Sequence, residues 1–170
     1  MLSESARMNS AAEARFRIQD VSSYSRTVKV IALDTPSERV VRRVARGSWE
    51  HTTFLTAATL SASFPANNDF SLMRWLSDLA GRPRNLTDEV EAADLVVMVA
   101  TPGGRAHAAS IIGEACSLRR VMTTGLVLGG ISAPESALSK TLLQLRPWSL
   151  MVVIADPDDY IDNMLLALRA

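Results

Sequence analysis

Apolar residues in this chain gather in short near-continuous runs, and three of the runs end alike, with a polar residue, a proline and a helical pattern. They are residues 28–33 before Asp34-Thr35-Pro36, residues 95–100 before Thr101-Pro102, and residues 150–155 before Asp156-Pro157. Proline at the first helical position has its φ already set and no N–H to lose, so it starts a helix at little cost. A near-continuous apolar run, rather than an alternating one, marks a strand buried on both faces, as in a parallel sheet flanked by helices. With the threonine-rich stretch 52–57 and the run 121–128, the pattern predicts five strands.

Helical spacing fills the intervals. Residues 36–46 read as a helix, with Thr35 and Glu38 spaced as a capping box and Gly47 as the stop. A polar loop, 61–69, leads to a helix through Leu72, Trp75, Leu76 and Leu79 that Gly81 and Pro83 halt. A short helix at 87–93 precedes the third strand. The helix at 104–119 carries Ala108, Ile111, Ile112, Ala115 and Cys116 on one face. Ser132 and Glu135 open another helix, to Leu145, and residues 157–168 form the last. The alternation predicts right-handed crossovers and an α/β fold, a three-layer Rossmann-like sandwich with a mostly parallel five-stranded sheet. Residues 27–170 form this single domain, and residues 1–26 are expected to be a leader, mobile or a short helix. In such sheets ligands lie outside the carboxyl ends of the strands, where the strand order reverses.

Composition changes this picture little. Of 170 residues, 48% are hydrophobic and 21% charged, which suits an ordinary globular domain. Lys+Arg and Asp+Glu both number 18, so no overall field draws nucleic acid or anionic lipid, and neither is expected as a partner. Only Lys29 and Lys140 are lysines, the remaining 16 basic residues being arginines. No run is long enough to span a membrane and the first 26 residues have no apolar segment of a secretory signal, so a cytoplasmic protein is expected. Cys116 is the only cysteine, which excludes an internal disulfide and a multi-cysteine zinc site, and it reads as a core residue. Trp49, Trp75 and Trp148 serve either the core or a subunit contact, and a homo-oligomer is expected.

The strongest candidate chemistry is Thr101-Pro102-Gly103-Gly104-Arg105. Two glycines allow close backbone approach, the helix behind them directs its positive end outward, and Arg105 adds a fork for phosphate or carboxylate. Gly129, Gly130 and Ser132 offer a second wall, and Asp34 and Asp156 stand at neighbouring strand exits. The plain alternative is that both glycine pairs are turns. His107, Ser110 and Glu114 share a helix face, but seven residues span about 10 Å, so His107 and Glu114 cannot serve one atom. Asp156, Asp158, Asp159 and Asp162 read as a helix start rather than a metal site, and no metal is expected. Arg39, Arg42, Arg43 and Arg46 read as a solvated face. No dinucleotide fingerprint, P-loop or serine elbow occurs.

The stretch from Ala92 through Asp94-Leu95-Val96-Val97-Met98-Val99-Ala100-Thr101-Pro102-Gly103-Gly104, with Val121 to Val127 and Trp148 to Asp158, resembles the nucleotide-binding half of bacterial tubulin-like cell-division GTPases over residues 92–160. The resemblance implies that Gly103 and Gly104 cradle phosphate. The family's GGGTGTG loop is reduced here to Gly103-Gly104-Arg105-Ala106-His107-Ala108, and its glycine loop after the first strand is missing, which leaves GTP hydrolysis unsupported. The Pro-Gly-Gly turn is also similar to that of lysine-decarboxylase-like phosphoribohydrolases, whose motif fails here after the two glycines.

Three functions follow as expectations. The first is a regulatory or accessory domain that binds an anionic small molecule or nucleotide. The second is an enzyme on a phosphorylated or carboxylated metabolite, with His107 as acid or base. The third is a non-catalytic assembly subunit. The sequence specifies no cofactor.

Overall fold

The computed structural model describes residues 25–58, 75–155 and 160–167. Its elements are β1 (Val28–Ala32), α1 (Thr35–Val44), β2 (Thr52–Thr56), β3 (Trp75–Asp78), β4 (Pro83–Asn85), α2 (Leu86–Glu91), β5 (Leu95–Ala100), α3 (Ala108–Arg119), β6 (Met122–Leu128), α4 (Glu135–Leu145), β7 (Met151–Ala155) and α5 (Tyr160–Ala167). One 7-stranded sheet runs in the order β4-β3-β2-β1-β5-β6-β7. Only β3 runs against the others, so the sheet is mostly parallel.

Strand alternation sorts the core into two sides. Val28, Val30 and Ala32 of β1, with Val97 and Val99 of β5, meet Val41 and Val44 of α1 and Ile161 and Leu165 of α5. Ile31, Val96 and Met98 point the other way, onto Leu86 and Val90 of α2, Ile112 and Cys116 of α3, and Leu142 and Leu145 of α4. The helices therefore form the two outer layers of an α/β sandwich.

The strand count corrects the expected five to seven. The predicted helix through Trp75, Leu76 and Leu79 is a β-hairpin in its described part, while Leu72 lies outside the described residues. Asp78 turns the chain, its Oδ1 accepting from the Ala80 and Arg82 amides at 2.9 Å each, and Gly81 takes φ 81°. A side chain that bonds forward to the backbone competes with helix, and a left-handed glycine ends it, so helical spacing of four apolar residues loses. The polar loop 61–69, most of the 1–26 leader and Asp156 also lie outside the described residues.

Two helix starts differ as well. The capping box of α1 is Asp34 with Ser37, one residue ahead of the Thr35–Glu38 pair, because Asp34 is drawn into the sheet interior and is buried. Glu38 instead accepts from Arg42 Nε at 2.8 Å and Thr56 Oγ1 at 2.9 Å. The helix expected from Gly104 begins at Ala108, with residues 101–107 held in a loop by contacts to α4. At α4 the expected cap of Ser132 with Glu135 gives way to Pro134 at the N-cap, which provides no side-chain hydrogen bond.

Candidate functional site

Among the parallel strands the chain goes from β1 outward to β2 on one side, then returns past β1 to β5 on the other. The order reverses between β1 and β5, so the exits of these two strands flank the crevice where doubly wound sheets hold ligands. Asp34 leaves β1 there and Thr101 leaves β5. They are joined: Asp34 Oδ2 accepts from the Thr101 amide at 2.8 Å and from Thr101 Oγ1 at 3.1 Å. Asp34 Oδ1 accepts from the Ser37 amide at 2.8 Å. One carboxylate thus caps α1 and bridges the crevice.

Gly104 stands against this carboxylate. A Cβ at Gly104 would overlap Asp34 Oδ2 and stand 3.0 Å from the Thr101 carbonyl. Gly103 has φ 76°, in the region that favours glycine. The amides of this loop face inward. Gly103 N–H donates to Thr141 Oγ1 at 3.0 Å and the Ala137 carbonyl at 3.1 Å, Gly104 N–H to the Thr101 carbonyl at 3.0 Å, and Ala106 N–H to Gln144 Oε1 at 2.8 Å. The glycine pair fits the loop onto α4 and Asp34, and the backbone donors expected to meet a phosphate are already engaged.

Arg105, next along, is exposed and makes no hydrogen bond or ion pair among the described residues. Thr35 is exposed beside Asp34, and His107, the N-cap residue of α3, is exposed two residues beyond Arg105. Gly129 donates to the Ala155 carbonyl at 2.8 Å, the last bond between β6 and β7, and takes φ 75° as the chain turns away. Gly130 is buried, and a Cβ there would press on Ile154 and Leu138. Ser132 is exposed on the loop that follows. The rim therefore brings Asp34, Thr35, Thr101, Gly103, Gly104 and Arg105 together.

The chain matches no known protein family and no curated protein. Among solved structures 44 chains match. One is the translation elongation factor SelB from Methanococcus maripaludis in complex with the GTP analogue GppNHp, at 9% identity and a TM-score of 0.49, covering 85% of this chain and 34% of that one. The present chain thus spans about a third of the length of that protein. The resemblance over residues 92–160 stays a reading of the sequence.

Other candidate groups are placed apart from the rim or inside the core. Cys116 is buried, and burial pushes its thiol up to about 12, so it stays protonated and unreactive at neutral pH. Ser110 Oγ donates to the His107 carbonyl at 3.0 Å, which fixes the first turn of α3. Trp49 donates from Nε1 to the Val44 carbonyl at 2.8 Å, and both Trp49 and Trp148 pack against the core. No group of three metal-ligating side chains stands together among the described residues. No described helix is long and apolar enough to cross a membrane. Cavities of about 390 Å³, beside Arg120 and Trp148, and about 520 Å³, over Ile111 and Leu118, lie away from this rim.

Sequence reasoning missed Thr141 and Gln144, which lock the 101–107 loop. Thr141 is fully buried, and its Oγ1 lies 3.1 Å from the Thr101 carbonyl that accepts from it. Their signal was present: Thr141 shares a helix stripe with Leu138, Leu142 and Leu145, and a polar residue in an apolar stripe needs a partner.

Proposed function

We propose that this protein is a regulatory or accessory domain that binds an anionic small molecule, a nucleotide or another phosphate ester, at the carboxyl rim between β1 and β5. The observation that carries the reading is Arg105, an exposed guanidinium without a described partner at the switch point of the strand order. A planar fork with five donors suits phosphate or carboxylate, and the positive end of α3 begins three residues later. Because the Gly103, Gly104 and Ala106 amides are engaged internally, the ligand is held by side chains, Arg105 foremost with Thr35 and Ser132 on the neighbouring exits. The Asp34 carboxylate fills the space before Gly104, so the anion sits outside that space, towards solvent.

Thermal denaturation with a panel of nucleotides and phosphate esters tests this. A ligand at about 100 times its dissociation constant stabilises the native state by roughly 2.7 kcal/mol, a rise readily measured in the midpoint. The expected result is a rise for at least one compound that disappears in Arg105→Ala while the unliganded midpoint stays where it was. No rise with any compound, or an equal rise in the variant, overturns the reading. Turnover of the bound compound that vanishes in His107→Ala would replace it with an enzymatic one.

A further inference from the structure

The two edges of the sheet are built differently. At one edge, β4 is three residues long, begins with Pro83 and carries Arg84, with Arg82 exposed just before it. Short length, proline and arginine are the devices by which an edge strand resists pairing. At the other edge, β7 has none of them. From Trp148 to Ala155 the sequence is Trp-Ser-Leu-Met-Val-Val-Ile-Ala, without a charge, a proline or a glycine. Its large side chains are exposed where a strand covered on both faces would hide them: Leu150 at 78%, Met151 at 54% and Ile154 at 37%.

We propose that β7 is a dimerisation strand that pairs antiparallel with β7 of a second copy of this chain, joining two sheets into one across a two-fold axis. The backbone is set for it. Within β7, Ala155 accepts from the Gly129 N–H at the end of β6 at 2.8 Å. Successive residues of a strand direct their hydrogen-bonding groups to opposite sides, so those of Met151 and Val153 face β6 and those of Val152 and Ile154 face the open edge. Charge selects the occupant. On a two-fold axis the same strand meets itself, and any ionisable residue would face its own kind or lose its water. A strand without one is self-complementary, whereas a partner of opposite charge has nothing here to recognise.

Area and closure agree with this occupant. Two paired strands alone fall short of the roughly 800 Å² per partner of a standard interface. The helices at this end of the sheet extend it, since α4 and α5 pack on its two sides and leave Leu143 and Leu166 exposed. Once β7 is paired, the outer edges of the joined sheet are both β4, with Pro83 and Arg84. Assembly therefore stops at two chains rather than growing into a filament.

Sedimentation of the full chain over a range of concentrations, with circular dichroism of the same samples, tests the interface. Wild type is expected to sediment as a dimer that dissociates on dilution. Ile154→Pro removes only an outward N–H from an edge strand, a place where proline is tolerated. Met151→Lys places a charge at an exposed position of the strand. Both variants are expected to be monomers at concentrations where wild type is dimeric, with unchanged spectra and with the melting midpoint that wild type shows once diluted to monomer. A wild-type chain that stays monomeric at the highest attainable concentration, as it would with another segment of its own covering β7, overturns the proposal. So does a dimer that survives both folded variants.

Discussion

A Cβ on Gly104 would overlap the Asp34 carboxylate, whose hydrogen bonds to Thr101 and Ser37 hold the exits of β1 and β5 together. Gly104 needs no unusual φ, so the demand for glycine comes from its neighbour and not from its own backbone. Overfilling a packed site costs about 1–3 kcal/mol. Gly104→Ala is therefore expected to lower stability by that amount, read as a lower urea midpoint with an unchanged slope. A midpoint equal to that of wild type would show that Asp34 yields freely. The same substitution separates two meanings of a Gly-Gly pair that look alike in sequence, since a phosphate cradle requires open space where this pair has a carboxylate.

At the scale of elements, α2 is tied to β1 by charge. Lys29, on β1, is buried and sits 2.9 Å from Glu89 Oε2 of α2, while Arg84 reaches Glu89 Oε1 at 2.7 Å. Lys29 Nζ also donates to Thr53 Oγ1 of β2 at 3.0 Å. Burial works to raise the Glu89 carboxyl, but the hydrogen bonds from Lys29 and Arg84 outweigh it and hold the group below its ordinary 4.5. A carboxyl depressed in the folded state contributes stability that is complete above its unfolded pKa and is lost as pH falls through the folded one. Stability is thus expected to decline below about pH 4.5, with Glu89→Gln lacking that component of the decline. The same variant leaves Lys29 buried without its counter-charge, which costs about 3–5 kcal/mol at neutral pH. Urea midpoints from pH 3 to 7 check both, and parallel pH profiles for the two proteins would remove Glu89 from the account.

Across the whole molecule, the parallel strands and their layers were legible because near-continuous apolar runs have few other ways to be buried. The runs around Ile31, Met98, Leu126 and Val153 became β1, β5, β6 and β7. The β3–β4 hairpin was not, because Leu76 and Leu79 also fit a helical stripe and the deciding bonds run from the Asp78 side chain to its own turn. The rim was legible as a place, since every strand exit followed from direction alone. What occupies its donors was not, for those partners are Thr141 and Gln144, some forty residues away in sequence.

The engagement of that loop by α4 has a consequence for solvent. Gly103 and Ala106 lie in no regular element, yet their amide protons point into side-chain oxygens of a packed helix. Their deuterium uptake is expected to be as slow as that of α4 itself, because neither proton reaches water unless the helix lifts away. Thr141→Val should speed exchange at Gly103 while leaving β5 protected. Rapid uptake at both glycine and alanine in wild type would mean that the loop leaves α4 often enough to meet a ligand with its backbone after all.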